Sequence, residues 1–405
     1  MHTEDYINRE RLYGAHNYHP LPVVLHKGEG IYVWDVEGKQ YMDFLSGYSA
    51  LNQGHRHPKV LEALMDQAGL LTLTSRAFHS DVLGDYMEYA CKLFGYDKLI
   101  PMNSGAEGVE TALKLCRRWA YVRKGIPINL AKIVVCEDNF HGRTITAVSM
   151  STDPTSYDQF GPFTPGFIKI KYNDLDQLAE VLKQEHVAGF LLEPIQGEAG
   201  IVVPDEGYLK KAYELCQEND VLFIADEIQT GLGRTGKMLC CDYEGVHPDV
   251  LILGKALSAG IFPISAVLAR DEIMLCIKPG EHGSTFGGSP LSARVAKAAI
   301  EVVIEEKLAE NAFVMGQLFR EGLEKIDSPL IDTIRGKGLL NAIVTVPQDG
   351  VTAWDICIAL RDRGLLAKPT HEHIIRFAPP LIINEAQLQE AIHIITEVFA
   401  SYYGK

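Results

Sequence analysis

The chain has 405 residues, of which 47% are hydrophobic and 22% are charged, a composition typical of a globular protein with a large domain and a smaller one. The formal net charge of −15 argues against a surface that binds nucleic acid or an anionic membrane, because such surfaces are basic. The eight cysteines include no C-x-x-C pair, which argues against zinc-ribbon and thioredoxin-like sites and favours a reducing compartment.

The N-terminal stretch mixes acidic and basic residues without an apolar core, which is typical of neither a secretory signal nor a transit peptide. No apolar run in the sequence approaches the length of a membrane span. We therefore predict a cytoplasmic protein that binds neither membranes nor nucleic acids.

The first 58 residues predict an N-terminal arm followed by short β-structure. Apolar and polar residues alternate over residues 30–44 around a turn at residues 35–38, a pattern that predicts a hairpin. A loop then carries His55 and His57. We interpret both as ordinary loop histidines, because no third metal ligand accompanies them and Pro58 follows.

A helix start near residue 105 is a candidate phosphate site. A predicted strand at residues 99–102 leads into Asn103, Ser104 and small residues, and apolar residues then recur with helical spacing. The first N–H groups of a helix and the positive end of its dipole bind phosphate. An ordinary N-cap by Ser104 would look the same in the sequence.

The next strands end in loops that carry polar and aromatic residues. Strand Lys132–Cys136 is followed by Phe140, His141 and Arg143. Phe140 can stack on a flat cofactor or belong to the core, and Arg143 can bind a carboxylate or form a surface ion pair. We predict a loop over residues 149–166 and then a buried strand that ends at Glu193.

Two apolar runs, residues 221–225 and 250–253, predict buried parallel strands that end beside Asp226 and Lys255. Ligands of open α/β sheets bind outside the carboxyl ends of the strands. Pyridoxal phosphate (PLP) needs a lysine for its Schiff base and an acid at its pyridine nitrogen. Considered singly, Asp226 is better explained as a helix cap and Lys255 as a surface lysine.

Residues 231–237 match both G-x-G-x-x-G and G-x-x-x-x-G-K. The P-loop interpretation fails because Met238 stands where a Ser or Thr would bind magnesium. The dinucleotide interpretation fails because residues 226–230 separate these glycines from the strand, and no helix opens there. We interpret the match as coincidental and the segment as a flexible loop.

The last part of the chain begins with a Gly/Ser loop from residue 280, in which Ser284 and Thr285 are hydroxyl donors suited to phosphate. A helix is predicted to begin near Pro290. From about residue 305 an amphipathic helix, short strands and a final helix predict a separate α+β domain. The predicted boundaries are 1–58 for an N-terminal segment of the small domain, 59–305 for the large domain and 306–405 for the C-terminal small domain.

Together these segments resemble the class III, fold-type I PLP-dependent aminotransferases over nearly the whole chain. The motifs that carry the resemblance are NSGAEGVETALKLCR, FHGRT, EPIQGEAG, IADEIQTGLGRTG, LGKALSAG and GEHGSTFGG. The resemblance implies an α/β fold with a mostly parallel seven-stranded sheet flanked by helices. It also implies a smaller α+β domain built from the N-terminal segment and the C-terminal region.

The resemblance implies the cofactor site. Lys255 would form the Schiff base, and Asp226 would hold the pyridine nitrogen. The other implied contacts are Gly105 and Ala106 with the phosphate, Phe140 and His141 with the ring, Gln229 with the phenolic oxygen, and Glu193. Thr285, with Ser284 beside it, would reach the phosphate of the neighbouring subunit, which implies a homodimer with shared active sites.

The resemblance is closest to the family members that act on ornithine, and it implies ornithine, 2-oxoglutarate and glutamate as substrates. Tyr18 would meet the α-amino and α-carboxylate end of ornithine, with Tyr48 as its partner. Arg143 would hold the distal carboxylate of 2-oxoglutarate or the α-carboxylate of ornithine. Arg376 would hold the α-carboxylate of glutamate.

Glu198 is predicted to act as a gate. Ornithine, reacting through its δ-amine, brings no carboxylate near the reacting carbon, and a buried unpaired Arg376 would cost about 3–5 kcal/mol. A carboxylate that pairs with Arg376 in this half-reaction and swings away in the other removes the penalty. With Lys255 and Asp226, Glu198 completes the predicted catalytic set.

Two alternatives stay open. The same fold could act on N-acetylornithine or 4-aminobutyrate, or could be a mutase. Tyr18 favours free ornithine, whereas His141 stands where some ornithine enzymes carry Trp and where N-acetylornithine enzymes share the Phe-His pair. A non-catalytic α/β binding protein is disfavoured by the intact pair of Lys255 and Asp226.

Overall fold

The structure is a computed structural model that describes residues 2–346 and 350–402. Its strands are β1 (Leu25–Glu29), β2 (Tyr32–Asp35), β3 (Gln40–Asp43), β4 (Lys98–Met102), β5 (Lys132–Cys136), β6 (Phe167–Ile170), β7 (Val187–Leu192), β8 (Leu222–Asp226), β9 (Val250–Leu253), β10 (Ser265–Ala269), β11 (Ile331–Lys337), β12 (Leu340–Thr345), β13 (Leu365–Leu366), β14 (Lys368–Thr370) and β15 (Ile374–Phe377).

The α-helices fall mostly between these strands. They are α1 (Thr3–Tyr13), α2 (Ser46–Ser49), α3 (Pro58–Ala68), α4 (Leu83–Phe94), α5 (Gly105–Trp119), α6 (Ile145–Met150), α7 (Pro154–Tyr157), α8 (Leu175–Leu182), α9 (Tyr208–Glu218), α10 (Asp271–Met274), α11 (Pro290–Glu305), α12 (Leu308–Leu323), α13 (Ala353–Asp362) and α14 (Glu385–Ser401).

The central sheet has seven strands in the order β4-β10-β9-β8-β7-β5-β6. β10 runs antiparallel to both neighbours, and the remaining pairs are parallel. Every residue of β7, β8, β9 and β10 is buried, as expected for strands covered on both faces. The predicted α/β fold with a mostly parallel seven-stranded sheet is confirmed.

Local capping signals place the helix starts. Ser104 caps α5: its Oγ accepts a hydrogen bond from the Glu107 backbone N–H at 3.2 Å, and the Glu107 carboxylate accepts one from the Ser104 N–H at 2.7 Å. Ser289 caps α11, with Pro290 in its first turn as predicted. The first turn of α5 also lines the cavity described below, so the cap and the candidate phosphate site coincide.

The two ends of the chain share a sheet. β1, β2 and β3 form the predicted antiparallel hairpin structure, and β13 from the C-terminal region pairs parallel with β3. A second small sheet has the order β11-β12-β15-β14. These pairings support the grouping of residues 1–58 with residues 306–405, although the boundaries themselves stay a prediction.

Two predictions about loops were wrong. Residues 149–166 contain helix α7, which Asp153 caps by accepting from the Thr155 N–H at 3.0 Å. Residues 231–237 are not a flexible loop: all but Lys237 are buried, and the Arg234 side chain is fully buried. The glycines permit a tight turn around this arginine, whose guanidinium binds other parts of the chain.

The two loop histidines each form a hydrogen bond with a carboxylate. His55 binds Asp43 at 2.8 Å and His57 binds Glu306 at 2.8 Å. Within the described residues no group of three or more His, Cys, Asp and Glu side chains is placed to hold a metal, and all eight cysteines are free thiols. No helix in the described ranges is both long and apolar enough to cross a membrane.

Candidate active site

A cavity of about 200 Å³ opens at the carboxyl ends of β7, β8 and β9. Its lining residues are Gly105, Ala106, Phe140, His141, Gly142, Glu193, Ile195, Glu198, Asp226, Ile228, Gln229, Thr230 and Lys255. Nine of the predicted site residues are among them. This is the position at which open α/β sheets bind ligands.

Lys255 follows β9, begins a short 3₁₀ helix and itself lines the cavity. Its φ of 42° lies in the left-handed region, which is strained for a residue with a side chain. Burial lowers the pKa of its amine, while the Glu198 carboxylate opposes this shift and the Arg376 guanidinium adds to it. A lowered pKa increases the fraction of the amine that is neutral and therefore nucleophilic.

Asp226 ends β8 and forms an ion pair with a residue of the FHGRT segment. Its Oδ2 atom lies 2.7 Å from Nδ1 of His141, and its Oδ1 accepts from the Ile228 N–H at 3.2 Å. Burial works to lower the pKa of His141, but the hydrogen bond and charge of Asp226 outweigh it, so the pKa is raised. The buried Nε2 of His141 has no partner in the described structure.

Glu193 fixes two backbone segments at the cavity wall. Its carboxylate accepts from the Phe140 N–H at 2.9 Å and from the Gly197 N–H at 3.2 Å. Burial raises the pKa of Glu193 to about 7; His141 opposes this shift and the charge of Asp226 adds to it. Glu193 therefore connects the backbone at Phe140 to the loop that carries Glu198.

Replacing Glu193 with glutamine is expected to remove part of the pH dependence of stability. A carboxyl whose folded-state pKa is about 7 rather than 4.5 contributes stability that is fully present below pH 4.5 and is lost as the pH rises through 7. Between about pH 5 and about pH 8 the unfolding free energy of the cofactor-free wild type should therefore fall relative to that of Glu193→Gln. An unchanged difference between the two proteins would contradict the raised pKa.

Glu198 and Arg376 form the predicted ion pair. The Oε1 atom of Glu198 lies 2.5 Å from Nη1 of Arg376, whose side chain is 6% exposed. Burial works to raise the pKa of Glu198, but Arg376 and Lys255 outweigh it and the pKa is lowered. The Tyr48 ring lies 5.1 Å from the guanidinium carbon. The Nε of Arg376 has no partner among the described residues, so the guanidinium retains a free donor.

The remaining residues that were predicted to bind substrate, Tyr18, Tyr48 and Arg143, do not line the cavity. Tyr18 is 74% exposed and close enough to Tyr48 to help raise the pKa of that phenol, a shift that burial dominates and Arg376 opposes. Arg143 is exposed, donates to Ser156 Oγ at 2.8 Å and lies 5.3 Å from the centre of the Phe140 ring. Arg143 therefore lies at the rim without lining the cavity.

Ser284 and Thr285 do not line the cavity of their own chain. Ser284 Oγ accepts from Asn103 Nδ2 at 2.8 Å and from the Gly287 N–H at 3.0 Å, and Thr285 is exposed. Their predicted contact with a neighbouring subunit stays a prediction.

The cavity fits the chemical requirements of PLP. The start of α5 presents the backbone of Gly105 and Ala106 to the cavity, which suits a phosphate. Gly142 allows the adjoining loop to approach, because a Cβ there would lie 2.9 Å from the Ala106 Cβ. A buried carboxylate, Asp226, and the amine of Lys255 line the same space, as the pyridine nitrogen and the aldehyde require.

Four lining residues, Gly142, Ile195, Ile228 and Thr230, were not predicted as site residues. A Cβ on Gly105 would lie 3.0 Å from Cδ1 of Ile228, so this isoleucine packs directly against the helix start. The position of Ile228, two residues after Asp226 at a strand end, was the available signal.

Comparison with known proteins agrees with this geometry. The family model described as "Aminotransferase class-III" matches residues 13–399. "Ornithine aminotransferase, mitochondrial" of Drosophila melanogaster is 62% identical over 393 residues, covering 97% of this chain and 91% of the relative. The crystal structure of the ornithine aminotransferase from Toxoplasma gondii ME49 superposes with a TM-score of 0.98 at 49% identity, covering 100% of this chain and 96% of that one.

A third relative bears on the substrate. The acetylornithine aminotransferase from Elizabethkingia anophelis has a TM-score of 0.91 and 55% identity, covering 99% of this chain and 100% of that chain. The names of the relatives thus differ in the substrate, while the fold and the lysine-containing cavity fit one family. The chain belongs to the class-III aminotransferase family.

Proposed function

We propose that this chain transfers the δ-amino group of L-ornithine to 2-oxoglutarate and produces glutamate-5-semialdehyde and glutamate, with PLP as cofactor. The observation that carries the proposal is the ion pair of Glu198 and Arg376 in the wall beside Lys255. A site that handles substrates with and without an α-carboxylate at the reacting carbon needs such a pair. The ornithine aminotransferases among the relatives support the same substrate.

Lys255 is suited to be the general acid–base of the transamination. When bound, PLP supplies an aldehyde that condenses with amines and a ring that accepts the electron pair released at the substrate carbon. The Lys255 amine, whose pKa burial lowers, would act as the general acid–base that takes a proton from the substrate carbon and returns it on the cofactor side. Asp226 would hold the pyridine nitrogen in its protonated form, because a nearby anion favours the charged form.

Glu198 controls which substrate meets Arg376. With ornithine bound through its δ-amine, Glu198 neutralises Arg376 through the contact at 2.5 Å. With glutamate bound, the substrate's α-carboxylate replaces Glu198 as the ion-pair partner of Arg376. The Gln229 side chain helps to lower the pKa of Glu198, so it lies close enough to hydrogen-bond the released carboxylate.

Replacing Glu198 with alanine is expected to slow the ornithine half-reaction about 100-fold more than the glutamate half-reaction, because only the former leaves Arg376 buried without an anion. Single-turnover absorbance measurements of each half-reaction provide the comparison. Glu198→Gln is the matched control, since it retains a hydrogen-bond acceptor without the charge and should fall between the two proteins. Equal slowing of both half-reactions would refute the gate.

At the other end of the substrate we propose three contacts. Tyr18 and Tyr48 meet the α-amino and α-carboxylate groups of ornithine, and Arg143 binds the α-carboxylate of ornithine or the distal carboxylate of 2-oxoglutarate. Arg143 donates to Ser156 through Nη1, so its other guanidinium nitrogens remain for a bidentate contact.

N-acetylornithine is the second candidate substrate, and the 55% identity with the acetylornithine aminotransferase favours it. Purified protein mixed with 2-oxoglutarate and either ornithine or N-acetylornithine distinguishes the two. Trapping of a cyclising semialdehyde from free ornithine, at a higher kcat/KM than for the acetylated amine, supports the proposal. A preference for N-acetylornithine would overturn it.

We also propose a homodimer in which the loop of Ser284 and Thr285 reaches the cofactor phosphate of the partner subunit. Large apolar side chains are exposed at Phe286 (59%), Phe78 (77%) and Leu70 (82%), and such exposure is common at interfaces between subunits. Light scattering on the purified protein measures the oligomeric state, and a monomer would contradict the proposal.

A cytoplasmic location stays a prediction. Some relatives, including the Drosophila melanogaster protein, are named mitochondrial. Fractionation of the source cells followed by detection of this chain decides between the two compartments.

A further inference from the structure

Residues 14–24 form an irregular segment, called here the N-terminal strap, between α1 and β1. The strap carries Tyr18, which is exposed yet lies close to the Tyr48 phenol. An irregular exposed segment holds a side chain in place only if something else fixes its backbone.

Two contacts fix the strap at His19, the residue after Tyr18. The imidazole of His19 stacks on the ring of Trp354, with centroids 4.1 Å apart and planes 7° apart. The backbone oxygen of His19 accepts a hydrogen bond from Nζ of Lys368 at 3.2 Å. The side chain and the backbone of one residue are therefore both held by the C-terminal region.

The second contact links the strap to the substrate-binding cation. Lys368 lies on β14 directly opposite Arg376 on β15 in the antiparallel ladder. Trp354 lies in the first turn of α13, which packs against β14 and β15. The strap is thus anchored to the same small unit of structure that positions Arg376, so Tyr18 and Arg376 are held at a constant spacing.

We propose that His19, clamped by Trp354 and Lys368, is the positioning residue that holds Tyr18 against the α-amino and α-carboxylate end of ornithine. The inference rests on the proposed function and adds residues that set ornithine affinity without touching substrate. Displacing a substrate-positioning ring by about 1 Å can reduce the reaction rate up to ~100-fold. The rate with ornithine should therefore depend on how firmly His19 is held.

The test compares kinetics in the holoenzyme. His19→Ala is expected to raise the KM for ornithine about 10-fold by releasing Tyr18, while the KM for 2-oxoglutarate and the melting temperature change little. His19→Phe keeps a planar ring on Trp354 and should restore the wild-type KM. A similar rise in both KM values would overturn the positioning role, because a general structural defect does not distinguish the substrates.

A double-mutant cycle tests the route through Tyr18. In a Tyr18→Phe background, His19→Ala should raise the ornithine KM no further, because the group that it positions is already absent. Additive effects of the two substitutions would overturn the proposal. Wild-type protein that is inactive on ornithine would overturn both the proposed function and the anchor, whereas active wild type with an unchanged His19→Ala overturns the anchor alone.

The stack itself has a readout that does not depend on activity. Trp354 is one of three tryptophans, and the difference in emission between the wild type and Trp354→Phe isolates its fluorescence. His19→Ala should change this difference spectrum, because it removes the stacked imidazole. An unchanged spectrum would show that the rings do not stack in solution and would overturn the anchor.

Discussion

Lys255→Ala should lose both half-reactions, with rates reduced by at least about 1,000-fold, because one amine serves as nucleophile and as proton carrier. The amine has no substitute at this place: among the described residues no other lysine lines the cavity, and the nearby Arg376 is bound to Glu198. Single-turnover measurements with ornithine and with glutamate give the two rates. Turnover of Lys255→Ala at nearly the wild-type rate would remove the basis of the assignment.

Replacing Lys255 with alanine should not change the backbone strain at this position, so the rates of the variant and the wild type can be compared directly. Lys255 has a φ of 42°, and alanine carries the same left-handed strain as lysine there, whereas glycine would relieve it. Lys237→Ala, an exposed lysine in the neighbouring segment, is the control and should leave both half-reactions unchanged. A small primary amine added to Lys255→Ala should restore part of the rate, which distinguishes lost proton transfer from a collapsed cavity.

The position of the Lys255 and Asp226 pair could be predicted because it depends on local signals. Strands β8 and β9 are continuous apolar runs, and the carboxyl ends of adjacent parallel strands meet at one sheet edge. Helix α13 had a local signal too, since Thr352 and Asp355 form a capping box. This helix was nevertheless not among the elements that we predicted for the C-terminal domain, because short predicted strands surround it.

Contacts between distant parts of the chain could not be predicted from local patterns. The His141 and Asp226 bond joins residues 85 positions apart, and nothing in either segment specifies the other. The Glu198 and Arg376 pair, 178 positions apart, was expected only through the resemblance to a family. The error at residues 231–237 has the same origin: glycine-rich composition is typical of mobile loops, but burial depends on partners elsewhere.

Those partners make Arg234 the most heavily bonded buried cation of the described structure. Its Nη2 donates to Asn52 Oδ1 at 2.6 Å, and Nη1 donates to the carbonyls of Leu339 at 3.0 Å and Pro379 at 2.6 Å. Burial lowers the pKa of the guanidinium to about 9, with the charge of Asp43 opposing the shift, so it stays protonated at neutral pH. One side chain thus joins the N-terminal, central and C-terminal parts of the chain.

Arg234→Met should lower the free energy of unfolding by about 3–5 kcal/mol. Three buried oxygen atoms lose their hydrogen-bond donor, and each unsatisfied acceptor costs ~1–3 kcal/mol. The variant recovers part of this cost because it no longer buries a charge. Arg234→Lys should recover little, since one ammonium cannot match the planar fork that spans these acceptors. Pro379 lies three residues after Arg376, which is proposed to bind the α-carboxylate of glutamate, so the KM for glutamate should rise as well. Denaturant unfolding gives the free energy, with exposed Arg123→Met as control, expected within ~0.5 kcal/mol of the wild type. A loss below ~1 kcal/mol for Arg234→Met would mean that water satisfies the three oxygens, and the segment would then be the loosely held loop that its glycines suggested.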